Sequence, residues 1–290
     1  MILDAHYHLD PRLESVDRLL AQMREHRIDR VALIAAPCDP LHLGKAAIAV
    51  GKAMRRALAG AAPPLGRLLY SSTVRRTGRV SFLGKSSAIY SAPDNDAVER
   101  ALSGHPDKFV GWVFLNPRVP APVEEAERRF RHAGWIGVKA HPFWHRYPVA
   151  ALDDVAALCQ QRDKPMLVHL GAGEQRGDFR HLPERFPRLK IVYAHAGIPW
   201  YGALWDDAIQ RQNVFVDLSS PYLDQALRHR ALRSLGAARC LYGSDGPYGY
   251  PAGDGGYDHG AILRQIERAG LSSQDLDRVF GANFKALAAV

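Results

Sequence analysis

His6 and His8 stand one residue apart in Asp4-Ala5-His6-Tyr7-His8, directly after the apolar start of the chain. Alternate side chains of an extended strand share a face, so the two imidazoles project together. Two histidines pack and hydrogen-bond as readily as they bind a metal, and the pair alone leaves both readings open. Its weight comes from other apolar runs that end in similar residues: His169 closes LVH, His195 closes VYAH, and Asp245 follows LYGS. Imidazoles with one carboxylate suit a divalent borderline metal, most simply Zn2+ with a water in the open position. A metal lowers the pKa of such a water to about 7, so the chemistry indicated is water activation.

Residues so remote in sequence meet only if the fold gathers strand ends. Short runs rich in Val, Ile and Leu recur at Ile2–Ala5, Arg30–Ala35, Phe109–Leu115, Trp135–Lys139, Pro165–His169, Lys190–His195, Val214–Leu218 and Arg239–Gly243. Helix-period segments lie between them, as at Leu13, Val16, Leu19, Leu20 and Met23, at Leu152, Val155, Ala156 and Leu158, and along Leu276–Leu287. Near-continuous apolar strands alternating with helices predict an α/β fold, a distorted (β/α)8 TIM barrel buried on both faces of its sheet. The C-terminal strand ends of such a barrel share one mouth, where the histidines and Asp245 would converge.

One domain of 290 residues is expected, with an insertion at about 37–107 between the second and third strands. Helix-like runs at Lys45–Leu58 and Asn95–Ser103 flank a stretch from Gly60 to Ser91 rich in Gly, Pro, Ser and Arg. That length exceeds an ordinary βα loop and suggests a lid, a subunit contact or a disordered segment. With thirteen His against three Cys, metal chemistry here is nitrogen and oxygen chemistry. Cys38, Cys159 and Cys240 are far apart and give neither a disulfide framework nor a zinc knuckle. The start MILDAHYHLD lacks signal-peptide character and no apolar run approaches the roughly 20 residues of a membrane span, so a cytoplasmic protein without membrane contact is expected. A net charge of +8 favours an anionic partner, but the basic residues are scattered, which points to a small anionic substrate and away from nucleic acid.

The motifs DAHYHLD, GVKAHP, LVHLGAG, VYAHAG, DLSS and LYGSDGPY, in this order and closed by GANFKAL, resemble the amidohydrolase superfamily across nearly the whole chain. The resemblance is to its amidohydrolase-related branch, which includes aminocarboxymuconate-semialdehyde decarboxylase, resorcylate decarboxylases and lactonases. It implies a barrel of the metallo-dependent hydrolase type, with His6, His8, His169 and Asp245 as ligands of one divalent metal, Zn2+ first and Mn2+ as the alternative. His195 would then hydrogen-bond the water or polarise the substrate, and Asp245 would also take the water's proton. In binuclear relatives a carboxylated lysine bridges two metals from the position of Lys139, but the GVKAHP form is that of a mononuclear site, with Lys139 facing substrate or a carboxylate. His141, Trp144, His145 and Tyr248 are expected to shape the pocket, and the branch's dimers make a homodimer through the insertion the expectation here.

The opening motif also resembles the TatD-type deoxyribonucleases, which carry a metal-bridging Glu where this chain has Gly137-Val138-Lys139. A barrel kept only for binding would have an incomplete ligand set, and none of the expected ligands is missing. The expected function is therefore hydrolysis of an amide, ester or lactone carbonyl by metal-activated water, with non-oxidative decarboxylation of an aromatic or enol carboxylate as the alternative.

Overall fold

A computed structural model describes residues 1–40, 45–249 and 256–290. Tyr250 and the glycine-rich residues 253–255 fall outside the described residues. Eight strands form one parallel sheet: β1 (Leu3–Leu9), β2 (Arg30–Ala35), β6 (Phe109–Leu115), β7 (Trp135–Ala140), β8 (Met166–Val168), β9 (Ile191–Tyr193), β10 (Val214–Asp217) and β11 (Cys240–Leu241), in that spatial order. β1 meets the chain at and beyond β11, with N–H donors at Ala5, Asp245 and His8 reaching the carbonyls of Tyr242 (3.0 Å), His6 (2.7 Å) and Gly246 (2.7 Å). These bonds bring the two edges together and make the sheet a distorted (β/α)8 barrel.

Side chains fill its interior. β1, β6 and β7 are buried along their whole lengths, as strands covered on both faces must be. Trp112 on β6 reaches past β2 and donates its indole N–H to the Ala5 carbonyl on β1 at 3.0 Å. Gly137 makes room for it, since a Cβ there would lie 2.2 Å from the Pro165 carbonyl oxygen and 2.8 Å from the Trp112 ring.

β1 runs further than the apolar run that announced it. The expected end at Ala5 is corrected to Leu9, because backbone pairing with β2 and with the segment after β11 holds the polar His6, His8 and their neighbours extended. Between Asp4 and Tyr7 the register slips by one residue against β2, a bulge of the kind that re-aims side chains next to functional sites. The last strand is shorter than expected: Tyr242 gives its N–H to the Val279 carbonyl, and the Tyr242 carbonyl and the Asp245 N–H pair with β1.

The insertion is built of regular elements. A helix at Lys45–Arg56 continues through a wider turn at Ala57–Ala61 into a second helix at Pro63–Ser72, whose N-terminus carries prolines at positions that need no N–H donor. A three-stranded antiparallel sheet follows: β3 (Val74–Arg75), β4 (Arg79–Phe82) and β5 (Lys85–Ala88). Leu83 and Gly84, with φ of +44° and +79°, form the two-residue turn that matches strand twist in a hairpin. The Gly60–Ser91 stretch thus holds regular elements that meet the barrel. The Arg67 guanidinium lies 4.7 Å over the Trp200 ring, and Arg230 donates to the Ala59 carbonyl at 2.7 Å.

Candidate metal centre

The C-terminal ends of β1, β8, β9 and the segment after β11 bring His6, His8, His169, His195 and Asp245 to one mouth, all of them buried. Nε2 of His6 lies 3.4 Å and Nε2 of His8 3.5 Å from one Asp245 carboxylate oxygen, and Nε2 of His195 lies 4.0 Å from the other. Ligand atoms of His6, His195 and Asp245 all lie within 4.8 Å of one another.

The opposite ring nitrogens are engaged. His6 Nδ1 reaches Asp217 at 2.9 Å, His8 Nδ1 the Ala35 carbonyl at 3.2 Å, and His195 Nδ1 the Ser219 hydroxyl at 2.7 Å. A carbonyl or carboxylate partner requires the proton on Nδ1, which leaves the Nε2 lone pair of His6 and His8 turned towards Asp245. Ser219 gives its own proton to Asp217, so His195 is set the same way.

This donor set fits a divalent cation. Lone pairs converging on a carboxylate have no proton to share, and donors bound at about 2.1 Å in tetrahedral array stand about 3.4 Å apart, close to the spacing around Asp245. Orientation of each imidazole through its second nitrogen is what metal sites use to fix the tautomer. The protonation states agree: burial first, then Lys139, push His6 down to about 3. Burial holds His195 below its ordinary value and His169 well below. For Asp245 burial opposes ionisation, but His195, His8 and His6 outweigh it and keep the carboxyl below the usual range.

Asp217 ties two of these residues together. Besides His6 it accepts the backbone N–H of His195 at 2.9 Å and of Ser219 at 3.0 Å. Neither Asp217 nor Ser219 was assigned a role from sequence, although both lie in the DLSS motif. His195, Ala196, Ser220 and Asp245 all have positive φ, between +54° and +74°, although none is glycine. Such backbone costs about 1–2 kcal/mol per residue and gathers at functional sites.

The other expected pocket residues divide. Lys139, buried on β7, places Nζ 3.3 Å from His6 Nε2, and burial brings it down to about 8. His141 stacks on His169 with centroids 4.0 Å apart, while its Nδ1 accepts the Trp144 N–H at 3.1 Å and caps the short helix Pro142–His145. Trp144 packs on His141 at 5.0 Å. Tyr248 stands beside His8, 5.4 Å between centroids, and donates to Asp10 at 3.1 Å. His145 reaches the Tyr90 carbonyl at 3.0 Å, under the insertion.

His169 is placed differently from His6 and His8. Its ring is 4.8 Å from that of His195, but its Nε2 shares a hydrogen bond of 2.5 Å with the hydroxyl of Tyr70, a buried residue of the insertion helix Pro63–Ser72. Tyr70 stacks on Phe143 at 4.1 Å, and Tyr222 lies 5.5 Å from His195, completing an aromatic wall. Nothing in the sequence around Tyr70 marks it, since its position depends wholly on how the insertion docks.

A parallel barrel whose strand ends present oriented imidazoles and a carboxylate defines the class of enzymes that work through a metal at the barrel mouth. The amidohydrolase family model matches residues 3–287, and the chain belongs to that family. Compared by sequence with curated proteins, the chain matches none. Among solved structures it is similar to a dihydroxybenzoic acid decarboxylase from Polaromonas with bound manganese and the inhibitor 2-nitroresorcinol, at 17% identity and a TM-score of 0.63, covering 99% of this chain and 96% of that one. It is also similar to a protein from Pseudomonas putida assigned as a 2-pyrone-4,6-dicarboxylic acid hydrolase (19% identity, TM-score 0.62, 99% and 97% covered). A third is 5-carboxyvanillate decarboxylase from Sphingomonas paucimobilis (14% identity, TM-score 0.57, 100% and 99% covered).

Proposed function

We propose that the protein is a metal-dependent hydrolase acting on the amide, ester or lactone carbonyl of a small anionic substrate. The observation that carries this reading is the convergence of the His6, His8 and His195 Nε2 atoms on Asp245, with every Nδ1 engaged elsewhere. The ligand set remains His6, His8, His169 and Asp245, with Zn2+ as the first candidate metal and Mn2+ the second. Bound there, such an ion supplies Lewis acidity and makes water nucleophilic at neutral pH.

The chain's own residues do the rest. Asp245, ionised and backed by three imidazoles, takes the proton of the attacking water. His195, fixed through Ser219, faces the same point with its Nε2 and stabilises charge developing on the carbonyl oxygen. Lys139 stands at the inner side of His6, within reach of an anionic substrate group.

Decarboxylation of an aromatic carboxylate is the second reading, supported by the Tyr70, Phe143 and Tyr222 rings around His169 and by the activities named for two of the similar structures. Incubation with lactone and ester panels and with resorcylates, following acid release and CO2 separately, distinguishes the two. Metal analysis of His6→Ala and Asp245→Asn tests the site itself, and full metal content in both would remove the ligand assignment. A cytoplasmic location and a homodimer through the insertion stay part of the proposal. The exposed Leu65, Leu68 and Leu69 on one helix support a contact there, which sedimentation of Leu68→Glu tests.

A further inference from the structure

The last residue of DAHYHLD meets the last residue of LYGSDGPY: the Tyr248 hydroxyl donates to Asp10 Oδ2 at 3.1 Å, while the Tyr248 ring stands against His8. Asp10 follows β1, and its side chain is fully buried. Arg12 grips it as a fork, with Nε 2.8 Å from one carboxylate oxygen and Nη2 2.9 Å from the other. The remaining N–H groups of Arg12 cross to other segments. Nη2 also donates to the carbonyl of Cys38, beyond β2, at 3.0 Å, and Nη1 donates to Asp39 at 2.5 Å and to the Tyr90 hydroxyl at 2.8 Å. Tyr90 closes the triangle by donating to Asp39. All five guanidinium N–H groups are thus engaged, and none is left for a substrate.

Tyr90 lies just beyond β5, where the insertion returns to the barrel, and other strand ends hold the same point. Its N–H donates to the Pro37 carbonyl at 3.0 Å, its carbonyl is met by His145 after β7, and Asn116 after β6 donates to the Ser91 carbonyl at 2.9 Å. The insertion anchored here is the one that carries Tyr70 onto His169. Asp10 and Arg12 therefore stand between two elements that touch different histidines of the candidate metal centre. A mere loop staple would need only the contact between these two residues, whereas Arg12 reaches across 78 positions to Tyr90. The fork fixes the plane of the Asp10 carboxylate, and so the direction in which Oδ2 accepts from Tyr248. Asp39 and Tyr90 in turn fix the fork.

We propose that Asp10 and Arg12 are positioning residues that couple the insertion to the site: they hold the Tyr248 ring on His8 while Tyr90 is docked, so that displacement of the insertion root is felt at His8. Proton NMR of the His8 ring tests this with neither metal nor substrate required, since its signals carry the ring current of an aromatic 5.4 Å away. Tyr248→Leu removes that ring and calibrates the full shift. Tyr90→Phe, which deletes one hydroxyl bonded to Arg12 and Asp39, should move the His8 signals part of the way in the same direction, and Arg12→Gln most of the way. Amide exchange at Tyr90 should quicken about tenfold in Arg12→Gln, which loses hydrogen bonds to charged groups. His181, paired with Asp153 at 2.6 Å away from these segments, should keep its signals throughout. His8 signals that stay in place in either Tyr90→Phe or Arg12→Gln would overturn the proposal, and so would a shift shared by His181, which would mean general loosening. Should Arg12→Gln not fold, Tyr90→Phe decides alone.

Discussion

The Tyr70 hydroxyl, carried on the insertion helix, lies 2.5 Å from Nε2 of His169 at the end of β8. The insertion therefore reaches the nitrogen through which His169 would ligate a metal. Tyr70→Phe removes the competing hydroxyl and keeps the stacking on Phe143. With a net hydrogen bond worth about 1 kcal/mol, metal affinity is expected to rise about fivefold. Titration with Zn2+ or Mn2+ under competition with a chelator reads this directly, and unchanged affinity would assign the fourth donor to His195.

Asp217 touches no substrate in this scheme but orients His6 through its side chain and His195 through its backbone N–H. Asp217→Asn keeps the shape and loses the charge. Loss of such an orienting partner lowers metal affinity by about 10- to 100-fold. Metal-binding isotherms check the magnitude, and a variant that binds as wild type would reduce Asp217 to a packing role.

Metal removal should lower the melting temperature, because the buried donors gather only in the folded chain. At a free concentration 100 times the dissociation constant, the ion stabilises by about 2.7 kcal/mol. Melting curves with a chelator, with Zn2+ and with Mn2+ rank the two candidates.

His145 predicts a pH dependence. Burial brings it down to about 4 from an ordinary value of 6.5. Its proton is bound more readily by the unfolded chain, so the stability it contributes is complete above about pH 6.5 and is lost as pH falls towards 4. Over that window unfolding free energy falls by up to about 1.4 kcal/mol per pH unit on its account. Denaturant titrations of His145→Phe should show a slope shallower by one proton, and parallel profiles would mean that His145 titrates normally.

Gly137→Ala tests the barrel interior. The added methyl would stand 2.2 Å from a backbone oxygen of Pro165, which cannot rotate away, and 2.8 Å from Trp112. Overpacking of this kind costs about 1–3 kcal/mol, or more against backbone. A melting temperature equal to wild type would show that Trp112 or β8 yields instead.

Much of the barrel was legible because its strands are buried on both faces and so read as apolar runs: Arg30–Ala35 and Phe109–Leu115 have the expected bounds. The polar ends of those runs also carried the site, since alternation puts His6 and His8 on one face and barrel geometry gathers strand ends. Where pairing alone sustains a strand, as over His6 to Leu9, composition ended it too early. Asp217 and Ser219 lay in a recognisable motif, yet their roles depend on side-chain directions that residue order does not specify.

Linear order determined which donors the chain owns and that a parallel barrel would bring them to one mouth, because strand period and burial are local properties. Tertiary structure alone decided which nitrogen of each imidazole faces Asp245 and that Tyr70 meets His169. Those relations arise from loops and an insertion docking over the strand ends. The contacts that fix them join residues as far apart as Tyr70 and His169, and no spacing in the sequence records such a distance.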